Sequence, residues 1–126
     1  AIRRGATIIT LLGATGTRLD HVLANVYLLG IGLEENVQIQ IVDAHNRIRM
    51  IEYVCEINKK EQFGEFVSII PVRGDAKGVT LQGMKYPLKD AAITCFSSLG
   101  VSNEIVDDAA RISVKEGTLL VIESRD

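Results

Sequence analysis

The spacing of apolar residues changes near residue 45, and this change constrains the fold more than any other feature of the chain. Before it, an unbroken apolar run, Ala6–Gly13, is followed by apolar residues at helical spacing and then by an alternating segment. After it, helical spacing does not recur, and short β-rich segments alternate with turn sequences. The sequence therefore predicts an α+β protein, in which the end of an α/β (βαβ) domain over residues 1–45 precedes an antiparallel β-sandwich over residues 46–126.

The first part is predicted to form one βαβ unit. "ATIITLLG" has the pattern of a strand that is buried on both faces, and "NVQIQIVDA" alternates like a second strand. Between them, an apolar stripe predicts a helix that ends at Gly30 and Gly32; the stripe comprises Leu19, Val22, Leu23, Val26 and Leu29. One unit cannot cover both faces of the first strand. We therefore expect the sheet to be completed by residues that precede this chain or by another subunit, or else to be left exposed.

The second part contains β-rich segments separated by turn chemistry, the arrangement typical of a sandwich or barrel. The turn sequences include "NKKEQFGE", "RGDAKG" and "KEG", and Glu116-Gly117 is predicted to close a hairpin. The predicted strands are Asn46–Glu52, Phe66–Val72, Gly78–Met84, Ala91–Phe96, Ala109–Lys115 and Thr118–Ser124.

Charge and composition exclude several classes of function. The formal charge is -2 and basic residues form only isolated pairs, so nucleic-acid binding is not expected. No apolar segment approaches the ~20 residues needed to span a bilayer, so no membrane association is expected. Cys55 and Cys95 fit neither a zinc motif nor a disulfide scaffold, which predicts reduced thiols in a cytoplasmic protein, with Cys95 packed as a small apolar residue.

The segment "GATGTRLDH" between the first strand and the helix is the candidate for chemistry. Gly13 and Gly16 would allow a sharp turn and a close approach of the backbone to a ligand. N–H groups at a helix start favour an anion, and the fork of Arg18 suits phosphate oxygens. Asp20 could hold a metal or orient a nucleophile, and His21 could move a proton.

A purely structural interpretation of the same segment is equally complete. Thr17 could be the N-cap of the helix, with Asp20 as a short version of the capping box, and Arg18 and His21 would then only be solvated. The segment lacks both the G-x-G-x-x-G spacing and a Walker lysine. Local chemistry leaves the two interpretations open.

Taken together, several segments resemble bacterial thiamine pyrophosphokinases. The first is "GATGTRLDHVLANVYLL"; the others are "SIIPV" (Ser68–Val72), "GVTLQGMKYPL" (Gly78–Leu88), "GVSNEI" (Gly100–Ile105) and "ISVKEGTLLVIESRD" (Ile112–Asp126). They stand in the family's order and intervals and cover nearly the whole chain. The resemblance implies a homodimeric enzyme with a nucleotide-binding half and a thiamine-binding β-sandwich half. It also implies transfer of pyrophosphate from ATP to thiamine, with Mg²⁺ required.

The resemblance also implies roles for individual residues. Arg18 is assigned to phosphate contact, and Asp20 either to a metal's surroundings or to fixing the loop. His21 and Asn25 match supporting positions on the helix, beside Gly13, Gly16 and Thr17 of the nucleotide-binding loop. Ser102 and Asn103 match a Ser-Asn pair in the thiamine pocket, although "LGVSNE" is also a plausible turn.

The chain departs from the family pattern in two ways. Thr17 stands where the family often has a second glycine, which could alter the approach of the backbone to phosphate. The family's principal magnesium-binding aspartates lie upstream of this region, and the aspartates present fit other loops; these are Asp43, Asp75, Asp90, Asp107 and Asp108. The chain is therefore expected to be a C-terminal fragment that is inactive alone. The alternative is a non-catalytic module that binds thiamine or pairs subunits.

Overall fold

A computed structural model describes all of residues 1–126, and β-strands dominate it. The strands are β1 (Ile8–Leu12), β2 (Gln38–Val42), β3 (Asn46–Ile51), β4 (Val54–Asn58), β5 (Phe66–Gln82), β6 (Leu88–Ile93), β7 (Ala109–Ser113) and β8 (Glu116–Ser124). The helices are α1 (Leu19–Tyr27) and α2 (Leu29–Glu35), and single 3₁₀ turns cover Ile2–Arg4 and Lys59–Glu61. No helix is long and apolar enough to cross a membrane.

The strands form one curled sheet in the order β1-β2-β3-β8-β5-β7-β4, with β6 also paired to β5. β1 and β2 are parallel, and α1 and α2 lie between them in the chain. All other neighbours are antiparallel. The fold is mostly β with a helical segment near the start, as predicted. The predicted sandwich of two separate sheets is not formed, because the strands belong to one curled sheet with two halves. The division into domains at residue 45 stays a prediction, and β2–β3 pairing carries the sheet across that point.

β5 is one long strand where the sequence predicted two strands and a turn. Its register against β8 shifts between Val72 and Lys77, where Arg73, Gly74 and Gly78 have positive φ. "RGDAKG" therefore bends the strand without ending it, because an irregularity of this kind turns a strand while pairing resumes beyond it. The first half of β5 pairs with β8, and the second half pairs with β6 and β7.

The predicted hairpin at Glu116-Gly117 is wrong, since β7 and β8 do not pair with each other. They follow the two halves of β5 instead, and the chain crosses the bend of β5 between them. Gly117 has φ 108, and a Cβ there would lie 2.9 Å from the carbonyl oxygen of Asp75. A glycine is therefore needed at this position because two strands cross closely there.

Two further strand predictions were inaccurate. β4 was missed, although its residues Val54–Asn58 pair along β7 and bury Cys55 and Ile57. β6 begins and ends three residues earlier than predicted. Cys95 consequently lies in the loop after β6 and is exposed, which contradicts its predicted packing. Burial raises the pKa of the Cys55 thiol.

Buried side chains form two clusters. The larger contains residues from both halves of the curled sheet, so the sheet closes around it; its members include Val67, Val79, Leu81, Ile112, Leu119 and Val121. The smaller joins the helices to the sheet and contains Val26, Leu29, Ile41, Ile48 and Leu120. Of the predicted helical stripe, Leu19 and Leu23 are exposed.

The helical segment is longer than predicted. α2 includes Gly30 and Gly32 and ends at Glu35, and Asn36 adopts the left-handed conformation that terminates it. Gly32 is buried where α2 meets β2, and a Cβ there would collide with the carbonyl oxygen of Val37. Gly32 therefore allows the helix to pack closely on the strand. The local sequence does not distinguish this role of a glycine from that of a helix C-cap.

β1 is an edge strand and is not buried on both faces. It pairs only with β2, and Ile8 and Leu12 are 64% and 76% exposed. Within this chain, the face of β1 that carries Ile8 and Leu12 is therefore uncovered.

Candidate functional site

The loop between β1 and α1, residues 13–18, is the glycine loop, and it lies at the carboxyl end of the parallel strand pair. Gly13 has φ 68, a conformation that glycine adopts without a steric penalty, and it turns the chain directly after β1. The loop then leads into the first turn of α1, where backbone N–H groups lack helical partners. Such edges of parallel sheets commonly bind ligands.

The loop borders an open cavity of about 280 Å³. Its lining consists of Gly13, Ala14, Thr15, Gly16, Thr17, Arg18, His21 and Asn25. All the residues predicted to face a nucleotide are thus brought together around one space. Their ligand role stays a prediction. Asp20, the other predicted residue of this segment, does not line the cavity.

Asp20 holds the start of α1. Its Oδ2 accepts a hydrogen bond from Nη2 of Arg18 at 2.7 Å, and its Oδ1 accepts one from the backbone N–H of His21 at 2.9 Å. Arg18, not Thr17, is the N-cap residue, so the predicted capping by Thr17 is wrong. The side chains of Arg18 and Asp20 are 68% and 62% exposed, so the ion pair contributes little to stability and leaves the guanidinium accessible.

Two hydrogen bonds fix the loop to its surroundings. Nδ2 of Asn25 donates to the carbonyl oxygen of Ala14 at 2.7 Å. The hydroxyl of Thr15 donates to Oδ2 of Asp43 at 2.6 Å. Asp43 directly follows β2, and sequence reasoning assigned it to another loop. The topology could have indicated it, because the carboxyl ends of adjacent parallel strands meet at one edge.

Asp43 is saturated with hydrogen-bond donors. Its Oδ1 also accepts from the backbone N–H groups of His45 at 2.8 Å and Asn46 at 2.6 Å. Burial raises the pKa of Asp43, but hydrogen bonds from Thr15, His45 and Asn46 outweigh it, so the pKa is below its ordinary value. The carboxylate is therefore ionised at neutral pH and is engaged by protein donors.

The residues present do not form a magnesium site by themselves. No three His, Cys, Asp or Glu side chains are grouped so as to hold a metal ion. Asp20 is bound to Arg18, and Asp43 is bound to the loop and the following turn. The structure therefore supports no step through Mg²⁺ that uses these carboxylates alone.

The predicted Ser-Asn pair divides into a buried and an exposed member. Asn103 is 4% exposed, and its Oδ1 accepts from the N–H groups of Tyr86 at 3.0 Å and Glu104 at 2.9 Å. Its Nδ2 donates to the carbonyl oxygen of Tyr86 at 2.9 Å. Asn103 thus ties the turn at Tyr86 to its own segment, which leaves little of the amide for a ligand.

Ser102 is exposed and has φ 61, and its backbone N–H donates to Oγ of Ser68 at 2.9 Å. Its own hydroxyl makes no hydrogen bond within the chain. Of the two residues, Ser102 is the one that the fold leaves available. Their contact with thiamine stays a prediction.

A larger cavity, of about 660 Å³, lies between α2, β2 and the β3–β4 region. Thr7 and Gln38 line it, so it is near the amino ends of β1 and β2, away from the glycine loop. It contains none of the residues that the sequence predicted to bind nucleotide or thiamine.

Comparison with known proteins defines the family. The sequence profile described as "Thiamin pyrophosphokinase, vitamin B1 binding domain" matches residues 53–119, which is more than half of the chain. The chain belongs to the thiamine pyrophosphokinase family. Thiamine pyrophosphokinase of Bacillus subtilis (strain 168) is 37% identical over 129 aligned positions, which cover 100% of this chain and 59% of that protein.

Solved structures agree with this assignment. The crystal structure of thiamine pyrophosphokinase from Bacillus subtilis matches with a TM-score of 0.94 at 36% identity, covering 99% of this chain and 58% of that one. The enzyme from Geobacillus thermodenitrificans matches with a TM-score of 0.86 at 35% identity, covering 99% of this chain and 57% of that one. The chain therefore spans less than two thirds of the length of these relatives.

Proposed function

We propose that this chain is the C-terminal part of a thiamine pyrophosphokinase. In the reaction, the hydroxyl oxygen of thiamine bonds to the β-phosphorus of ATP and loses its proton, and the bond to the α-phosphate breaks, giving thiamine diphosphate and AMP. Similarity to named thiamine pyrophosphokinases along the whole chain supports the proposal. The observation that carries it is the single cavity lined by every loop residue expected to face the nucleotide.

The glycine loop is the proposed phosphate-binding element. Gly13 and Gly16 place no side chain in the loop, and a Cβ at either position would meet no atom within 4 Å. The guanidinium of Arg18 is exposed beside this space and can bind two phosphate oxygens at once. His21 and Asn25 complete the wall, with Asn25 holding the loop and His21 within reach of a bound anion.

The curled sheet is the proposed thiamine-binding part, where the vitamin B1 binding profile matches. Ser102 would offer its free hydroxyl to the ligand. Asn103 would act by shaping the adjoining turn, since its amide already binds Tyr86.

Three further features belong to the proposal. Mg²⁺ would neutralise the transferring phosphates, with carboxylates outside this chain supplying its ligands. A homodimer is supported by the exposed apolar side chains of Phe96, Leu99 and Val101, which shortly precede the Ser-Asn pair in the sequence. A cytoplasmic location is the last part of the proposal, and the family resemblance and the free thiols support it.

Calorimetric titration of inorganic pyrophosphate into the chain tests the proposed phosphate site. Saturable binding is expected, and Arg18→Ala should weaken it by about ten-fold or more, since a charge-assisted hydrogen bond contributes about 1.5–3 kcal/mol. Arg4→Ala is the control, because it removes one exposed positive charge away from the loop. Equal weakening by both variants would show non-specific attraction and would contradict the site.

A further inference from the structure

We propose that Asp43 is a positioning residue, which holds the glycine loop in its phosphate-binding shape through the hydroxyl of Thr15. The inference rests on the proposed function of that loop. We call the hydrogen bond between the hydroxyl of Thr15 and the carboxylate of Asp43 the strut. Thr15 lines the cavity and could be mistaken for a phosphate ligand.

The strut joins the ends of two parallel strands. Thr15 stands in the loop that follows β1, and Asp43 directly follows β2. Their 2.6 Å hydrogen bond therefore spans the edge at which the ligand is proposed to bind. Asn25, on α1, holds the neighbouring residue Ala14. Two adjacent loop residues are thus held by two different elements.

The hydroxyl proton of Thr15 is committed to the carboxylate. A hydroxyl has one proton, so Thr15 cannot donate to Asp43 and to a phosphate oxygen at once. Asp43 does not line the cavity. An ionised carboxylate inside the cavity would repel a bound anion. The arrangement fits a support behind the site better than a contact within it.

Asp43 is itself firmly anchored. It accepts backbone hydrogen bonds from His45 and Asn46, which fix the turn between β2 and β3. Arg125, after β8, holds the same turn. Its side-chain Nε donates to the carbonyl oxygen of Ala44, and its backbone N–H donates to the carbonyl oxygen of His45. The loop is therefore tied to the main sheet through Asp43.

The test compares pyrophosphate binding to the whole chain and to variants of the strut. Thr15→Val removes the hydroxyl and keeps the shape, and about a five-fold loss of affinity is expected, the equivalent of one hydrogen bond. Thr15→Ser should restore affinity to near that of the parent chain. Thr10→Val is the matched control, because Thr10 bonds to Gln40 across the same strand pair at 2.9 Å, outside the loop. Thr10→Val should leave affinity unchanged.

Two additional measurements separate a strut from a direct ligand. Asp43→Asn should also weaken binding if Asp43 positions Thr15, whereas it should tighten binding if Thr15 contacts phosphate, because it removes a negative charge and frees a hydroxyl proton. Hydrogen exchange of the amides of residues 13–18 should accelerate in Thr15→Val and not in Thr10→Val. If Asp43→Asn does not fold, the Thr15 variants and the exchange rates carry the test.

The possible results have distinct meanings. Parental affinity in Thr15→Val, or tighter binding in Asp43→Asn, would overturn the inference and leave the proposed phosphate site standing. A loss of affinity without faster exchange in the loop would also overturn it, in favour of a direct contact. If the parent chain does not bind pyrophosphate, the proposed phosphate site fails and the inference fails with it.

Discussion

Asn103 illustrates how a residue in a recognisable motif can serve the fold first. Its side chain makes three hydrogen bonds, two of them with backbone groups of Tyr86, and it is buried. The sequence predicted a choice between a ligand contact and a turn, and the residue types alone suited both. The difference lies in burial and in partners 17 positions away, which no local pattern contains.

Asn103→Ala should therefore lower the free energy of unfolding by about 2 kcal/mol or more, because three hydrogen bonds of a buried side chain would be lost. Thermal unfolding without ligand measures this. Ser102→Ala is the control and should change stability by less than about 0.5 kcal/mol, since the hydroxyl of Ser102 is unpaired and exposed. Equal melting temperatures for both variants would show that Asn103 is not needed for the turn.

The residues of the glycine loop could be found from the sequence because they are consecutive and chemically distinctive. Gly13, Gly16, Arg18 and His21 line one cavity as a group, whatever their final roles. Asp43 could not be found in the same way. It reaches Thr15 in the loop only because β1 and β2 are parallel neighbours, so its detection depends on topology.

α2 shows why two glycines in one helix have different roles. A Cβ at Gly32 would collide with the carbonyl oxygen of Val37, whereas a Cβ at Gly30 would meet only Sδ of Met50, at 3.8 Å. From the sequence, both glycines were predicted to end the helix, because glycine is favoured directly after the last helical residue. The packing of α2 against β2 determines the difference.

Gly32→Ala should cost about 1–3 kcal/mol of stability, the range for overpacking a close contact. Gly30→Ala, the matched control in the same helix, should be neutral or should stabilise by about 0.4–1 kcal/mol, since alanine restricts the unfolded chain. Chemical denaturation of the two variants measures both values. A Gly32→Ala variant as stable as Gly30→Ala would contradict the close packing of α2 on β2.

The β-strands were predictable as segments but not as pairs. Alternation and β-branched residues indicated most of them, yet the bend in β5 looked like a turn and the crossing at Gly117 looked like a hairpin. A bulge and a turn use the same residue types, because both need positive φ. Whether a strand continues beyond such an irregularity depends on the strands that pair with it, which are distant in the sequence.

A buried charge cluster joins distant parts of the sheet. Glu123 on β8 is fully buried, and its carboxylate accepts from Arg47 and Arg49 on β3 at 2.7 and 3.0 Å. It also accepts from the backbone N–H of Phe63 at 3.1 Å, before β5 begins. The sequence shows only an unremarkable acidic residue near the end of a strand, so this cluster was not predicted.

The curled sheet, the helices and the glycine loop form one connected unit, because β2–β3 pairing and the turn held by Arg125 link the loop to the sheet. We propose that the loop of this unit binds the phosphates used by a thiamine pyrophosphokinase. A ligand site in such a unit should show itself by a local response on an otherwise unchanged fold.

The most direct measurement is an NMR titration of the ¹⁵N-labelled chain with inorganic pyrophosphate. Saturable shifts are predicted for the backbone amides of residues 13–21, at the loop and the first turn of α1, with amides near the 660 Å³ cavity unchanged. Shifts centred on that cavity, or scattered over surface lysines, would contradict the account, as would the absence of any saturable shift.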